Sequence, residues 1–437
     1  MKKIKYIVVG ALLVIVSQGY SQLYMNPRNI SFADAYATQA RGGDVIGWNP
    51  ANLGLNDNPK FQFNFGIIPI VPFPALQISN NTISTHLLNN YIFTGDYLDD
   101  DAKEELLSHF PDGGLNFNPL VQMRFLNFSV NSWAFTLGAE VTGKVVAPKS
   151  LFRLALFGNE FEEPIDLSDT DLDLQSVVTL GIAHGWQIDN VPYLSNYVDK
   201  FSVGIAVKLL AGAGYSGFDD LTANVTTYKD RIILEGDLKG EYGLGGAGLA
   251  IDIGAASVIN EKMTANLALN NVVGFLNWGI GEAGKAEYSF YADIPSSDFG
   301  DIDSIMDESL RKDTTYTVSG IRTNYPAYMI MGFEYRVLQN LRLFVNYRQS
   351  FSNDMASTTT PASSFAAEFL PANWLPIRLG IGVGGNDKIK WGVGSGMTFS
   401  RYRLEWGFAQ TGGFFNHGKG LAFCWINPWF SKICFLP

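Results

Sequence analysis

The chain has 437 residues, of which 17% are charged and 14% are aromatic, and its formal net charge is −11. This composition excludes a disordered chain, because disorder goes with few aromatic residues and a high density of charge. The excess of acidic residues also argues against nucleic acid as a partner, since negative charge repels phosphate.

The first 21 residues predict a cleavable secretory signal peptide. Three lysines precede an apolar run over residues 7–16, and the small residues Gly19 and Ser21 precede a cut before Gln22. The apolar run has about half of the roughly 20 residues that a transmembrane helix needs, so we expect no membrane-spanning helix. Export through this signal is the first indication of a location outside the cytoplasm.

Residues 22–58 form the next segment and show no sustained hydrophobic period. They are rich in turn-forming pairs such as Asn49-Pro50. We therefore expect an irregular N-terminal segment with one short helix near residues 31–39.

Residues 59–430 are dominated by alternation of apolar and polar side chains, which puts the apolar set on one face of each strand. Many runs last about 10 to 13 residues, against about 5 to 6 for an average soluble strand, and this length suits a tilted strand that crosses a membrane. The apolar faces are almost free of charge, whereas the opposite faces carry acids, bases and glycines. The pattern predicts an all-β fold, a transmembrane antiparallel β-barrel of about 12 to 16 strands.

The strands differ in how clearly they are marked. Two weaker runs, 283–293 and 313–322, are expected to extend a hairpin beyond the membrane. Tryptophans near strand ends are expected to form girdles at the membrane interfaces, namely Trp186, Trp278, Trp391, Trp425 and Trp429. The clearest strands are predicted over residues 60–68, 115–130, 132–146, 174–187, 199–214, 220–235, 243–256, 262–274, 326–337, 340–351, 375–384, 388–399, 401–411 and 418–427.

Two connections between the predicted strands are long. The first contains a helical insertion near residues 76–110, with a helix from 101 to 110 that begins at the capping pair Asp101 and Glu104. The second, residues 351–373, is rich in Ser and Thr and is expected to be a loop. Residues 431–437 are expected to form a C-terminal tail after the barrel.

Charged residues on the polar faces of the strands predict the lining of the lumen. Two interpretations stay open: a path for a solute, or mutual ion pairs that fill the wall of a plugged barrel, and we favour the second. The candidates are Glu140, Lys144, Lys208, Asp252, Arg342, Arg348, Arg378, Arg403 and Glu405.

Neither catalysis nor a cofactor has a recognisable motif in this sequence. The four histidines lie far apart without metal-ligand spacing, and no nucleophile elbow is present. Gly-x-Gly-x-x-Gly occurs three times, but no helical pattern follows it, so these glycines are expected to let a side chain or a plug approach closely. We expect that the protein is not an enzyme and that it binds no metal and no cofactor.

Cys424 and Cys434 are the two cysteines of the chain. After export they would meet an oxidising compartment, where two cysteines ten residues apart are able to close a disulfide. The alternative is two unpaired or buried thiols. The spacing alone does not choose between the two.

Residues 42–53 resemble the N-terminal hatch of the FadL-type outer-membrane transporters of long hydrophobic compounds. Asn49, Pro50 and Ala51 match the family's Asn-Pro-Ala motif, whereas Asn52 and Gly54 depart from its usual placing of glycine. The likeness continues into the strands: 245–254 with 267–271 resembles a family strand pair, and 208–217 and 375–385 resemble an uncharacterised FadL-like branch of exported Gram-negative proteins.

The resemblance implies a 14-stranded barrel in the cell outer membrane, in contact with its lipid, with residues 22–58 as a hatch inside the lumen. It implies passive uptake of long-chain fatty acids or other hydrophobic small molecules, captured outside and released sideways into the membrane. A second hypothesis is a non-transporting barrel that scaffolds a secretion or surface-assembly complex. A third, a secreted soluble sandwich or enzyme, predicts a soluble pool in membrane fractionation.

Overall fold

The computed structural model describes most of the chain as one closed β-sheet. Within the described part, no helix has the length and apolar character to cross a membrane. The predicted signal peptide lies outside it, as do Cys434 and most of the predicted tail. The described residues are 24–64, 74–93, 97–189, 191–192, 196–296, 310–355, 357–399, 402–425 and 429–431.

Fourteen antiparallel strands close into a barrel, and this confirms the predicted all-β fold and strand number. The last strand pairs with the first, with Phe423 opposite Leu76 and Phe430 opposite Phe63. The strands are β1 (Phe61–Asn64 and Pro74–Ser79), β2 (Leu115–Phe117 and Leu120–Val130), β3 (Trp133–Ala147), β4 (Asp171–Ile188), β5 (Lys200–Thr227), β6 (Arg231–Asn260), β7 (Met263–Pro295), β8 (Leu310–Thr317, Ile321–Asn324 and Tyr328–Leu338), β9 (Leu341–Ser350), β10 (Ala362–Ala372), β11 (Leu375–Gly384), β12 (Lys388–Phe399), β13 (Tyr402–Thr411) and β14 (Gly420–Trp425 and Trp429–Ser431).

Alternation along each strand decides which side chains face outward. On β11, Leu379 and Ile381 are 57% and 41% exposed, whereas Arg378 beside them is 1% exposed and points into the lumen. Successive side chains of a strand point to opposite faces, so an apolar outer surface and a polar inner surface arise from the same ten residues. This is the division that a barrel in lipid requires.

The strand count is right, but two predicted elements are wrong. Residues 220–235 are not a separate strand, because β5 continues to Thr227 and β6 begins at Arg231. Conversely, β10 occupies the second half of the stretch expected to be a Ser/Thr-rich loop. The outward face of β10 combines Phe365 and Phe369 with serine and alanine, which is too weak an apolar stripe for recognition from sequence.

Strands β5, β6 and β7 are 28, 30 and 33 residues long, although about 9 to 11 residues suffice to cross a membrane. Their distal halves pair with one another, with Leu310–Thr317 of β8 and, along β5, with the short strand Pro164–Asp166. We call this five-stranded projection the sheet extension. The runs 283–293 and 313–322 belong to it, as the distal parts of β7 and β8.

Three helices pack together at the end of the barrel that carries the long connections. They are α2 (Thr85–Leu87, continuing as a π-helical turn to Ile92), α3 (Asp100–Ser108) and α4 (Lys149–Phe157), numbered after α1 (Pro27–Ser31). Asp99, two residues earlier than expected, caps α3 by accepting a hydrogen bond from the Ala102 amide. Part of β1 occupies the start of the predicted helical insertion. We call these three helices the helical cap, and its core includes Leu87, Leu106 and Phe110.

Candidate functional site

Residues 24–58, the plug, lie inside the barrel and are almost entirely buried. The helix expected near residues 31–39 is displaced: α1 begins at Pro27 after its cap Asn26 and ends at Ser31, and a 3-10 turn follows at Ala37–Gln39. Three aromatic side chains anchor the plug. Tyr36 meets Trp48 edge-on at 5.2 Å between ring centroids, and Phe32 packs on Phe344 of β9 at 4.9 Å.

Wall glycines make room for the plug backbone. A Cβ atom at Gly380 of β11 would lie 2.2 Å from the carbonyl carbon of Phe32, and one at Gly204 of β5 would lie 2.4 Å from the Ala51 nitrogen. Any larger residue at these positions would collide with main chain. Similar contacts to the plug occur at Gly185, Gly254, Gly392 and Gly407. Gly380, from one of the three Gly-x-Gly-x-x-Gly motifs, is therefore a strand glycine that lets the plug approach the wall.

The Asn-Pro-Ala motif docks the plug on β6 and β7. The Asn49 side chain accepts a hydrogen bond from the Ala51 amide at 2.9 Å, which caps the 3-10 turn Pro50–Gly54. Its amide nitrogen donates to the carbonyls of Ala255 at 3.0 Å and Leu267 at 3.2 Å. The hatch motif therefore lies against the strand pair that also resembles the family.

Lys208 and Asp252, both predicted to face the lumen, form a buried ion pair at 2.6 Å. The Asp252 carboxylate also accepts the Gly47 amide of the plug at 3.1 Å and the Asn271 amide of β7 at 2.9 Å. At this point β7 bulges, because residues 270–272 lie opposite Asp252 alone. One carboxylate thus joins the plug, the bulge and a buried ammonium.

A second buried network contains three more of the predicted residues. Arg378 donates to Glu405 at 2.7 Å and to Glu368 at 2.7 Å, and Arg28 of the plug donates to Glu405 at 2.9 Å. Arg342 also pairs with Glu368. Glu368 was missed from the sequence because β10 was not recognised as a strand.

The other predicted lumen residues lie in different surroundings. Glu140 is buried and accepts hydrogen bonds from Gln122 at 3.0 Å and Tyr325 at 2.5 Å. Lys144 pairs with Asp171 at 2.8 Å in a half-exposed position. Arg348 lines a cavity of about 30 Å³ beside the plug. Arg403 lies on β13 opposite Thr398, two residues before Glu405.

Further ion pairs hold the plug in place, one within the plug itself and one to β2. Asp44 accepts from Arg124 at 2.5 Å and from Asn127 at 2.8 Å. Arg41 pairs with Asp57 at 2.7 Å. Burial lowers the pKa of Arg41, but the Asp57 carboxylate, with smaller contributions from Glu334 and Tyr36, more than offsets burial, and the pKa is raised. The guanidinium therefore stays charged inside the lumen.

One predicted girdle residue is wrong: Trp278 points inward and is 1% exposed. It stacks on Tyr215 at 5.6 Å and donates to Thr323 at 2.9 Å, in space left by Gly212 and Gly243. Trp186 is 48% exposed on the outer face and Trp391 is half-buried. The side chains of Trp425 and Trp429 lie outside the described set.

Cys424 is buried, and Cys434, its predicted disulfide partner, lies outside the described residues.

The ladder between β7 and β8 is irregular next to Trp278. Trp278 pairs with Ile321 and Gly284 with Thr317, and the Val318 amide donates to the Ala283 carbonyl at 2.9 Å, but residues 279–282 and 319–320 leave the regular ladder. An open hollow of about 430 Å³ lies here, and we call it the wall gap. Its lining is Asn277, Trp278, Gly279, Ile280, Ser319, Gly320, Ile321 and Arg322.

No group of three or more His, Cys, Asp or Glu side chains in the described part of the chain is arranged to hold a metal ion.

Comparison with known proteins places the chain by sequence and by fold. Residues 58–242 and 234–404 match the profile of DUF5723, a family of unknown function. A comparison with curated proteins gives no match.

Solved structures resemble the chain over nearly its whole length. The monoaromatic hydrocarbon channel CymD is 11% identical, with 95% of this chain and 99% of that chain covered and a TM-score of 0.52. A deletion mutant of the Pseudomonas putida TodX monoaromatic hydrocarbon channel is 11% identical, with 96% and 100% covered and a TM-score of 0.50. A Pseudomonas aeruginosa FadL homologue is 12% identical, with 94% and 97% covered and a TM-score of 0.49. The resemblance to FadL-type proteins is confirmed at the level of the fold.

The wall glycines yield a first prediction. Gly380→Leu should displace the plug, because a side chain there meets the Phe32 carbonyl group. We expect larger single-channel conductance in planar bilayers than for the unaltered protein. Gly214→Leu is the matched control, since the nearest atom to a Cβ there is 3.9 Å away. Equal conductance for all three proteins would show that the close approach does not hold the plug.

The Asp252 pair yields a second prediction. Asp252→Asn leaves the Lys208 ammonium buried without a counter-charge, which costs about 3 to 5 kcal/mol in comparable pairs. The midpoint of urea unfolding in detergent should fall clearly. Lys144→Gln breaks a half-exposed pair worth about 0 to 1 kcal/mol and should change the midpoint little. Equal effects of the two substitutions would remove the special role of Asp252.

Proposed function

The chain belongs to DUF5723, a family of unknown function, and for this member we propose passive movement of hydrophobic compounds, such as long-chain fatty acids, across the outer membrane. The observation that carries the proposal is the wall gap, which opens beside a buried aromatic cluster while the plug fills the lumen below it. A hydrophobic compound would enter the barrel from outside and leave through its side. The FadL-like fold and the predicted signal peptide support the location.

The plug is the reason for a lateral route. It passes so close to strand glycines that a Cβ atom on them would collide with it, and its charges pair with Arg124 of β2, Lys390 of β12 and Glu405 of β13. A path along the barrel axis would require these ion pairs to break, and breaking a buried pair costs several kcal/mol. A path through the wall leaves them in place.

The inner side of the wall gap suits an apolar compound. Trp278 belongs to a buried cluster with Leu276, Ile321 and Tyr325. On the outer side Ile280 is 73% exposed. A compound that moves from the cluster past Ile280 would have apolar contacts at both ends of its path.

The helical cap supplies a surface for first capture. Phe93 and Tyr97, between α2 and α3, are 70% and 88% exposed, and Ile92 is 53% exposed. Large apolar side chains held in the open at one place typically mark a binding surface. Each buried methylene of an acyl chain contributes about 0.8 kcal/mol, so partial burial of a long chain is sufficient for capture.

Filling the wall gap tests the proposed function. A Cβ at Gly320 would meet one atom, the Trp278 carbonyl oxygen, at 3.0 Å, so Gly320→Phe should place its ring in the gap. We expect several-fold slower uptake of a labelled fatty acid into proteoliposomes. Gly113→Phe in the connection after α3 is the control, because nothing lies within 4 Å of its Cβ. Uptake no faster than in protein-free liposomes would contradict transport, and unimpaired uptake by Gly320→Phe would contradict the lateral route.

A second candidate function is a scaffold for a secretion or surface-assembly complex, and the sheet extension favours it. In the described residues, Leu310–Thr317 of β8 has a ladder partner on one side alone, so its other edge is open to an added strand. This function does not need the wall gap.

The two candidates make different predictions for crosslinking. A photoreactive residue in place of Thr315 should give one adduct of constant mass in intact cells if the protein is a scaffold. The same residue in place of Thr358, on the loop after β9, serves as the control. Recovery of monomer alone from the Thr315 variant would contradict the scaffold.

A further inference from the structure

We infer that the outer lip of the wall gap binds the phosphate group of an anionic membrane lipid, with Arg322 as the main ligand. This inference rests on the proposed location in a membrane, and it does not depend on which compound is transported.

Arg322 faces away from the lumen. Its neighbours Ile321 and Thr323 are 6% and 8% exposed and point inward, whereas Arg322 between them is exposed. Across the ladder it lies opposite Asn277, which is also exposed. The guanidinium and the Asn277 amide therefore share the outer face of β7 and β8.

The height of Arg322 on the barrel corresponds to the edge of the apolar surface. Outward residues of β7 are apolar through Val273 and Phe275 and become polar at Asn277. On β8 the outward residues Met331 and Met329 are apolar, and Asn324 and Arg322 follow farther out. A change from apolar to polar side chains on the outer face marks the level of lipid headgroups.

The outer lip of the wall gap carries the guanidinium of Arg322, with polar side chains beside it. In the described residues Arg322 makes no ion pair, and no acidic residue lines the wall gap. Its guanidinium lies over the Phe275 ring at 4.5 Å, which holds it against the wall. Ser319 and Asn277 add a hydroxyl and an amide to the same cavity. A planar guanidinium with fixed donors matches a phosphate group better than any other side chain does.

Lipid-borne phosphate fits this lip better than free phosphate. Phe275 lies on the membrane side of the polar groups and Val273 lies below it, so an acyl chain attached to the phosphate would find apolar contacts directly below it. A headgroup seated here would also lie at the mouth of the proposed lateral route. Bound lipid would then be a neighbour of the released compound.

Native mass spectrometry of the purified full chain tests this inference. The probes are dioleoyl phosphatidic acid, dioleoyl phosphatidylcholine and inorganic phosphate. We expect phosphatidic acid to be retained in preference to the other two, and Arg322→Gln to weaken its retention roughly tenfold, because the charged hydrogen bonds of the guanidinium are lost. Arg322→Lys should restore part of it.

Lys262→Gln, in the short turn between β6 and β7, is the matched control for loss of one positive charge. Equal retention of phosphatidic acid by the unaltered protein and Arg322→Gln would overturn the inference. Equal occupancy by inorganic phosphate would overturn its lipid part. Fatty-acid uptake by Arg322→Gln is measured on the same sample, so absence of transport is distinguished from absence of the lipid site.

Discussion

A barrel surrounded by lipid has no outward place for charge, so its ionic groups must lie inside and be neutralised there. This constraint organises the molecule. Arg378 lies between Ile377 and Leu379, whose side chains face outward. Two glutamates of neighbouring strands neutralise its charge. The plug joins this network through Arg28, and Asp44 of the plug pairs separately with Arg124 of β2. Ion pairs that neutralise the wall are therefore the contacts that hold the plug.

The plug is also held by shape. Strand glycines remove the side chains that would keep its backbone away from the wall, and polar capping at Asn49 attaches it to β6 and β7. Ionic and steric contacts together leave little free space along the axis. The wall itself is irregular beside Trp278, where the wall gap lies between β7 and β8. A plugged axis beside an irregular wall is the reason for which we propose a lateral route.

Much of this arrangement was predictable because alternation is a local property of sequence. It placed Lys208, Asp252, Arg378 and Glu405 on the inner face. It did not give their partners: Lys208 lies opposite Ala250 and reaches Asp252 diagonally, which depends on the register between β5 and β6. Glu368 was lost with its strand, whose alanines and serines hide the apolar stripe. Trp278 points inward because glycines of two other strands leave room for it, and no local pattern records that space.

The central claim is that the plug stays in place while a hydrophobic compound passes through the wall. The most direct measurement is a crystal structure with a long-chain fatty acid that carries a bromine atom on its chain. The account predicts anomalous signal between Trp278 and Ile280, with Phe32 still packed on Phe344. Signal along the barrel axis, with the plug displaced from Gly380, would contradict it.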